Sequence, residues 1–133
     1  MRLAGYAALF DVADGARDTI VPGAFARTLA ERAQAGGDPL PLYWQHNPDQ
    51  RIGTVELAQE DARGLRVIAR LDNPASRAVS DLLGKRVDGL SFGYRARGYR
   101  RTGTGRLLED IDLIEVSLVT RPLQPGARVH FVS

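Results

Sequence analysis

Residues 111–119 read Ile-Asp-Leu-Ile-Glu-Val-Ser-Leu-Val, and this stretch predicts the clearest strand of the chain. Apolar and β-branched residues dominate it, and the proline at position 122 ends it because proline cannot donate to a sheet ladder. Side chains alternate between the faces of a strand, so Glu115 shares its face with Leu113 and Ser117. A carboxylate in such an apolar setting needs a partner, for which histidine and arginine are both candidates.

Outward from this strand, short apolar runs alternate with glycine and proline along the whole chain. Further strands are predicted at residues 3–10, 17–21, 40–44, 52–57, 65–71, 89–99 and 129–132. Two segments, residues 22–35 and 76–83, have helical patterns. Since strands outnumber helices and do not alternate with them, we expect a mainly β fold with flanking helices. A partly closed antiparallel β-barrel or sandwich fits better than a doubly wound parallel sheet.

Length and composition restrict the class of protein. A chain of 133 residues is expected to form a single domain, residues 1–133. It has no cysteine, which excludes disulfides, a thiolate nucleophile and thiolate zinc sites. An N-terminal signal and the roughly 18 consecutive apolar residues of a membrane span are both lacking, so we expect a cytosolic protein without a membrane partner.

The charge pattern offers one competing interpretation. Arginines between residues 95 and 106 are interleaved with Tyr94 and Tyr99, and such a surface favours single-stranded nucleic acid, because phosphates attract arginine and bases stack on aromatic rings. The net charge is only +2, however. A solvated hairpin is therefore preferred, and nucleic acid is not an expected partner.

His46 is the better candidate for a general base among the two histidines. It stands where an apolar run gives way to a polar turn, and functional side chains often occupy such junctions. His130 lies three residues before the last residue of the sequence, where chains tend to fray. The alternative for His46 is a hydrogen-bonding role in the turn alone.

Ser91 is the candidate nucleophile among five serines. Gly89 and Gly93 flank it and leave backbone room for a substrate. The spacing resembles the Gly-x-Ser-x-Gly elbow of α/β-hydrolases, but that motif needs a strand before the serine and a helix after it. Here a helix precedes and a strand follows, which excludes that fold. The alternative is a small residue in a strand weakened by glycine.

Five segments, taken in order, resemble the prohead proteases of HK97-like tailed phages, including those of gene transfer agents. They are residues 5–11, 18–25, 42–53, 89–94 and 113–122. The most characteristic are Leu-Tyr-Trp-Gln-His-Asn-Pro at 42–48, Gly-Leu-Ser-Phe-Gly-Tyr at 89–94 and Leu-Ile-Glu-Val-Ser-Leu-Val at 113–119. The order histidine, serine, glutamate differs from those of chymotrypsin, subtilisin and the α/β-hydrolases.

This resemblance implies the roles of three residues. Ser91 would be the nucleophile, His46 the general base and then acid, and Glu115 the group that orients His46. The family is related to the herpesvirus assemblins, which implies an assemblin-like barrel. Assemblins use a second histidine in the third role, so His130 is the alternative to Glu115. No cofactor and no metal are expected.

The resemblance also implies a function. It is that of a serine endopeptidase that cleaves scaffold or N-terminal segments of the major capsid protein inside an assembling procapsid, in the cytoplasm of a bacterial host. Self-cleavage and a homodimer are further expectations. Many family members have a longer C-terminal region, which the resemblance implies would bind scaffold or act as one, and this sequence stops soon after the strand that contains Glu115. The alternative function is a non-catalytic capsid-assembly or scaffold-binding protein that retains the protease fold.

Overall fold

Eight strands and two helices make up the fold in the computed structural model, which describes residues 1–133. The strands are β1 (Arg2–Leu9), β2 (Asp18–Ile20), β3 (Pro41–Trp44), β4 (Asn47–Glu60), β5 (Gly64–Leu71), β6 (Gly89–Arg101), β7 (Arg106–Val119) and β8 (Val129–Val132). The helices are α1 (Ala26–Ala35) and α2 (Arg77–Leu83). None of the helices is long and apolar enough to cross a membrane.

The strands form one mixed sheet, in which the pairs are β2–β7, β7–β3, β3–β4, β4–β5, β5–β1 and β1–β8. β2 and β3 both pair with the same edge of β7, and β6 pairs with its other edge. Most pairs are antiparallel, but β2 and β3 both run parallel to β7. The sheet curves until Gly89, at the start of β6, forms an isolated bridge with Arg128, just before β8. The predicted mainly β, partly closed barrel with flanking helices is confirmed.

One edge of β7 is shared by three elements. β2 pairs near the start of the strand and β3 near its end, which leaves a gap between them. The segment around α1 fills this gap: Ile111 N–H donates to the carbonyl of Ala24 at 3.0 Å, and Leu113 N–H donates to Thr28 Oγ1 at 3.1 Å. Arg32 donates to the Leu113 carbonyl at 2.9 Å. Both backbone groups of Leu113, its N–H and its carbonyl, therefore have hydrogen-bond partners, as a buried strand requires.

Helix α1 begins four residues later than its sequence pattern predicts. The Glu60 carboxylate accepts the N–H groups of Gly23 and Phe25, each at 2.8 Å. Gly23 has φ +93°, a left-handed conformation that glycine adopts without strain. These two constraints hold residues 22–25 in tight turns, so that the helix starts at Ala26.

A β-bulge at Ile114 changes the predicted alternation of β7. Gly93 lies opposite Glu115 and Tyr94 lies opposite Leu113, so Ile114 has no partner across the β6–β7 pair. The bulge returns Leu113 to the core, where it is 2% exposed, and leaves Ile114 46% exposed. The prediction that Leu113 shares a face with Glu115 is therefore wrong, because a bulge adds one residue to one strand only.

A buried carboxylate ties β2 to the β6–β7 hairpin. Asp18 is 4% exposed, and it accepts two hydrogen bonds from Arg106, at 2.9 and 2.8 Å, and one from the Tyr94 hydroxyl at 3.0 Å. The hydrogen bonds from Arg106 hold the pKa of Asp18 below its usual value, although burial opposes the shift. Burial and the bond to Asp18 raise the pKa of Tyr94 to about 12.

We expect Asp18→Asn to lower the free energy of unfolding by about 2 kcal/mol at pH 7, because a partly buried arginine loses its ion pair. A carboxyl whose pKa is depressed by folding stabilises the protein above the unfolded pKa of about 4 and loses this contribution as the pH falls through its folded value. Urea unfolding at pH 7 and pH 3 should therefore show a smaller pH dependence for the variant. Glu56→Gln, at the exposed pair with Arg2, is the control, with an expected cost below about 1 kcal/mol. Equal losses in the two variants would contradict the role of Asp18.

Candidate active site

The turn between β3 and β4 contains only Gln45 and His46. Both have positive φ, at 53° and 60°, and the flanking Trp44 and Asn47 pair with each other. Two left-handed residues in a two-residue hairpin turn are typical of type I′, which glycine and asparagine normally occupy. Each side chain larger than these costs about 1 kcal/mol in this region. Strained backbone of this kind is a sign of a functional position.

Four hydrogen bonds fasten this turn to the end of β7, the longest being from Gln45 Nε2 to Thr120 Oγ1 at 3.5 Å. Gln45 N–H donates to the Leu118 carbonyl at 3.0 Å, and His46 N–H donates to Ser117 Oγ at 3.1 Å. The Gln45 side-chain oxygen accepts from Thr120 N–H at 3.2 Å. These contacts offset the strain of the turn and fix the direction in which the histidine leaves the backbone.

The His46 ring contacts the Glu115 carboxylate. His46 Nδ1 lies 2.5 Å from Glu115 Oε1, and the Ser117 hydroxyl donates to Glu115 Oε2 at 2.7 Å. The Glu115 side chain is only 7% exposed, whereas that of His46 is 43% exposed. The partner of this buried carboxylate is thus histidine rather than arginine. Because Nδ1 faces Glu115, the other ring nitrogen, Nε2, is the one free to exchange a proton with a substrate or a nucleophile.

Gly93 provides the space that the Glu115 side chain occupies. The two residues are opposite each other on β6 and β7, and a Cβ atom at Gly93 would lie 2.5 Å from Oε1 and 2.8 Å from Cγ of Glu115. Any side chain at position 93 would therefore displace the carboxylate from the position in which it meets His46.

Ser91 lies directly opposite Ser117 in the β6–β7 pair. Cβ atoms of opposite residues are about 4.5–5.5 Å apart, so the Ser91 hydroxyl is on the same face as the Glu115–Ser117 contact. The residue is 6% exposed, and its hydroxyl forms no hydrogen bond within the chain, to the His46 ring or to any other group. No side-chain nitrogen or oxygen is both buried and unpaired, so this hydroxyl reaches solvent.

The structure brings His46, Glu115 and Ser117 into contact and places Ser91 on the neighbouring strand β6, opposite Ser117. His130 is elsewhere: it lies on β8, and its ring packs edge-on against Tyr6 with 5.9 Å between the ring centres. No group of three or more histidine, aspartate or glutamate side chains is arranged to hold a metal ion.

The sequence did not predict the roles of three residues of the site, Gln45, Gly93 and Ser117; Gly93 was expected only to leave room for a substrate. Alternation does place Ser117 on the face of Glu115, two residues away, and this was the available signal. The contacts of Gln45 and Gly93 form only where strands that are distant in sequence pair with each other, so no local sequence pattern predicts these contacts.

The fold is similar to those of three viral proteases of known structure. The capsid assembly protease of bacteriophage T4 is similar with a TM-score of 0.71 and 12% identity, over 91% of this chain and 82% of that one. KSHV protease, solved with a hexapeptide phosphonate inhibitor, has a TM-score of 0.61 and 12% identity over 99% of this chain and 64% of its own. Varicella-zoster virus protease has a TM-score of 0.59 and 18% identity, with coverages of 97% and 62%.

The chain belongs to the caudovirus prohead serine protease family, whose pattern it matches over residues 1–133. It is 29% identical over 133 aligned residues to the prohead protease of Enterobacteria phage HK97. The alignment covers 94% of this chain and 57% of that protein, so the chain spans little more than half the length of this curated relative. The family resemblance predicted from five sequence segments is confirmed.

Gly93→Ala tests whether the empty space at Gly93 positions Glu115. We expect a loss of about 1–3 kcal/mol in the free energy of unfolding, as is typical of overpacking, together with loss of the His46–Glu115 contact. Gly98→Ala on the same strand is the matched control, because its Cβ would lie 3.3 Å from Cβ and 3.9 Å from the backbone N of Asp110, without the overlap found at Gly93. Urea unfolding and the ¹⁵N chemical shift of His46 Nδ1 provide the two measurements. An unchanged Nδ1 signal in folded Gly93→Ala would show that Gly93 does not position the carboxylate.

Proposed function

We propose that this chain is a serine endopeptidase of capsid maturation, in which Ser91 is the nucleophile, His46 the general base and acid, and Glu115 the group that orients His46. The observation that carries the proposal is the 2.5 Å contact between His46 Nδ1 and the buried carboxylate of Glu115, on the face to which the Ser91 hydroxyl also belongs. Membership of the prohead protease family supports the same chemistry.

The proposed reaction follows the logic of serine hydrolysis. As the Ser91 oxygen attacks the scissile carbonyl carbon, His46 Nε2 takes the hydroxyl proton and later delivers it to the leaving amine. Water then attacks the acyl-enzyme ester, and His46 takes a proton from it. His46 returns this proton to the Ser91 oxygen as the acyl–oxygen bond breaks and the carboxylic acid product leaves. Glu115 holds Nδ1–H, which sets the tautomer and stabilises the imidazolium formed in each step.

Ser117 has a supporting role in this proposal. It donates to the Glu115 oxygen that does not face His46, and it accepts the backbone N–H of His46 itself. One buried hydroxyl thus constrains both the carboxylate and the turn that carries the base. Because both hydrogen-bonding functions of this hydroxyl are in use and Ser117 is fully buried, Ser91 is the better nucleophile of the two.

An open strand edge beside Ser91 suits a polypeptide substrate. At Leu90 the outer edge of β6 is occupied, since its N–H donates to the Ala127 carbonyl at 2.9 Å. Beyond Ser91 this edge pairs with no other strand. An extended peptide that added to such an edge would pass its backbone close to the nucleophile.

The substrates we propose are scaffold or N-terminal segments of the major capsid protein, cleaved inside the procapsid within the host bacterium. Self-cleavage and a homodimer belong to the same proposal. Incubation of the protein with the major capsid protein of its own particle, followed by mass spectrometry of the new N-termini, tests the substrate. Analytical ultracentrifugation tests the dimer.

Ser91→Ala should abolish cleavage of the capsid protein and leave the fold intact, because the attacking oxygen is lost. We expect the cleavage rate to fall on the order of 10⁴-fold or more. A peptidyl phosphonate should label the wild type at Ser91 and leave the variant unlabelled. Ser80→Ala, which removes an exposed hydroxyl on α2, is the control. Near-normal cleavage by folded Ser91→Ala would refute the assignment, and a folded wild type that neither cleaves nor reacts would favour the non-catalytic assembly protein.

Glu115→Gln and His130→Ala separate the two candidates for the third role. Glu115→Gln should lower kcat on the order of 10⁴-fold, because an amide disfavours the required tautomer and leaves the imidazolium without its counter-charge. His130→Ala should leave kcat within about twofold, since surface substitutions away from the site have small effects. The opposite ranking of the two variants would assign the third role to His130.

A further inference from the structure

A cationic surface lies at the far end of the β6–β7 hairpin, well away from the candidate active site. Three arginines, Arg17, Arg101 and Arg106, line a cavity of about 400 Å³, and we call this surface the hairpin-tip patch. The remaining lining residues are Ala16, Asp18, Thr102 and Gly105, of which Asp18 is the only acidic one. Arg106 N–H donates to the Arg17 carbonyl at 3.1 Å, which joins the segment before β2 to the hairpin. A Cβ at Gly105 would overlap that carbonyl, so glycine permits this close approach.

Two of these arginines have no acidic partner. Arg106 is held by Asp18, and the neighbouring Arg100 pairs with Glu109 at 3.3 Å. Arg17 and Arg101 form no ion pair within the chain; the nearby Asp14 carboxylate instead accepts backbone N–H groups in the turn before β2. Their guanidinium groups, each with a fork of donors, are available to an external anion.

The hairpin-tip patch contains two locally destabilising features, a pair of like charges and a strained backbone conformation. Arg101 and Arg106 are directly opposite each other in the strand pair, and like charges in that position are destabilising, although the ion pair with Asp18 offsets the charge of Arg106. Arg17 has φ +65°, a strained conformation for a residue with a side chain. A bound anion would relieve the charge repulsion, and local strain of this kind is typical of functional sites.

The two tyrosines beside the patch already have partners within the chain. The Tyr99 ring, although 43% exposed, has the guanidinium carbon of Arg106 4.8 Å from its centre and that of Arg101 at 6.0 Å. Tyr94 packs against Phe92 with 4.9 Å between the ring centres and donates its hydroxyl to Asp18. Since single-stranded nucleic acids bind through free aromatic faces, these contacts favour carboxylates over nucleotides as the ligand.

We propose that the hairpin-tip patch is an exosite that binds an acidic segment of a polypeptide, with carboxylates paired to Arg17 and Arg101. That the polypeptide is the substrate rests on the proposed endopeptidase function. Ser91 and Arg101 are ten residues apart on β6 (101 − 91), which is about 33 Å along a strand. An acidic segment about ten extended residues from the scissile bond would therefore reach both sites.

The first test measures binding without catalysis. A fluorescein-labelled peptide of four glutamates in a glycine-serine background is titrated into Ser91→Ala protein, and an all-glutamine peptide serves as the neutral probe. Arg17→Gln/Arg101→Gln should raise the Kd about tenfold, as two solvent-exposed ion pairs would. The matched control, Arg70→Gln/Arg77→Gln, removes the same charge from exposed positions elsewhere and should leave the Kd unchanged. No binding by the parent protein, or equal weakening in both double variants, would overturn the proposal.

A second arm replaces the peptide with a ten-nucleotide single strand of DNA at the same ionic strength. The proposal predicts weaker binding of the DNA than of the acidic peptide. Tighter binding of the DNA that is lost in Arg17→Gln/Arg101→Gln would assign the patch to nucleic acid and overturn the proposal.

A third arm uses wild-type Ser91 and a cleavable peptide, made with and without an acidic segment ten residues from the scissile bond. Arg17→Gln/Arg101→Gln should raise KM about tenfold for the acidic peptide only and leave kcat unchanged. An equal KM for the two peptides with the wild type would refute the exosite. Peptide binding without any cleavage would refute the endopeptidase function and leave the anion site standing.

Discussion

The hydrogen bonds along both edges of β7 hold the rest of the structure in place. β6 pairs along one edge, while β2, the α1 segment and β3 occupy the other in succession. A buried strand cannot leave its N–H and carbonyl groups unpaired. Each of these elements is therefore held in place by the hydrogen bonds that it forms with β7. The same strand carries Glu115 and Ser117 and receives the turn that contains His46. The framework of the fold and the framework of the candidate site are therefore one element.

The polar groups of the site form a network in which no member is independent. Glu115 is buried, and each of its oxygens has a hydrogen-bond partner, which is the condition under which a carboxylate tolerates an apolar environment. His46 is held from two directions, by its backbone N–H and by its ring. Loss of one partner leaves another buried polar group unpaired, so the effects of substitutions here are coupled rather than additive.

The elements were predictable from the sequence, and the resemblance implied the contact between His46 and Glu115, but most other contacts were not predictable. Local patterns and the family resemblance point to the strand that carries Glu115 and to the histidine turn. The bulge at Ile114 depends on the register of β6, and the late start of α1 depends on Glu60, whose acceptor role spans 35 residues to Phe25. The role of Ser117 depends on a backbone donor 71 residues away. Such long-range contacts leave no trace in periodicity or in turn propensity.

The separation of 69 residues between His46 and Glu115 links chemistry to the time course of folding. Their contact requires the parallel pairing of β3 with β7, and pairings between distant segments form slowly because a long loop must first be closed. A newly synthesised chain is therefore expected to form its helices and local hairpins before His46 meets Glu115. Under the proposed function, the general base would be oriented only once β3 has paired with β7.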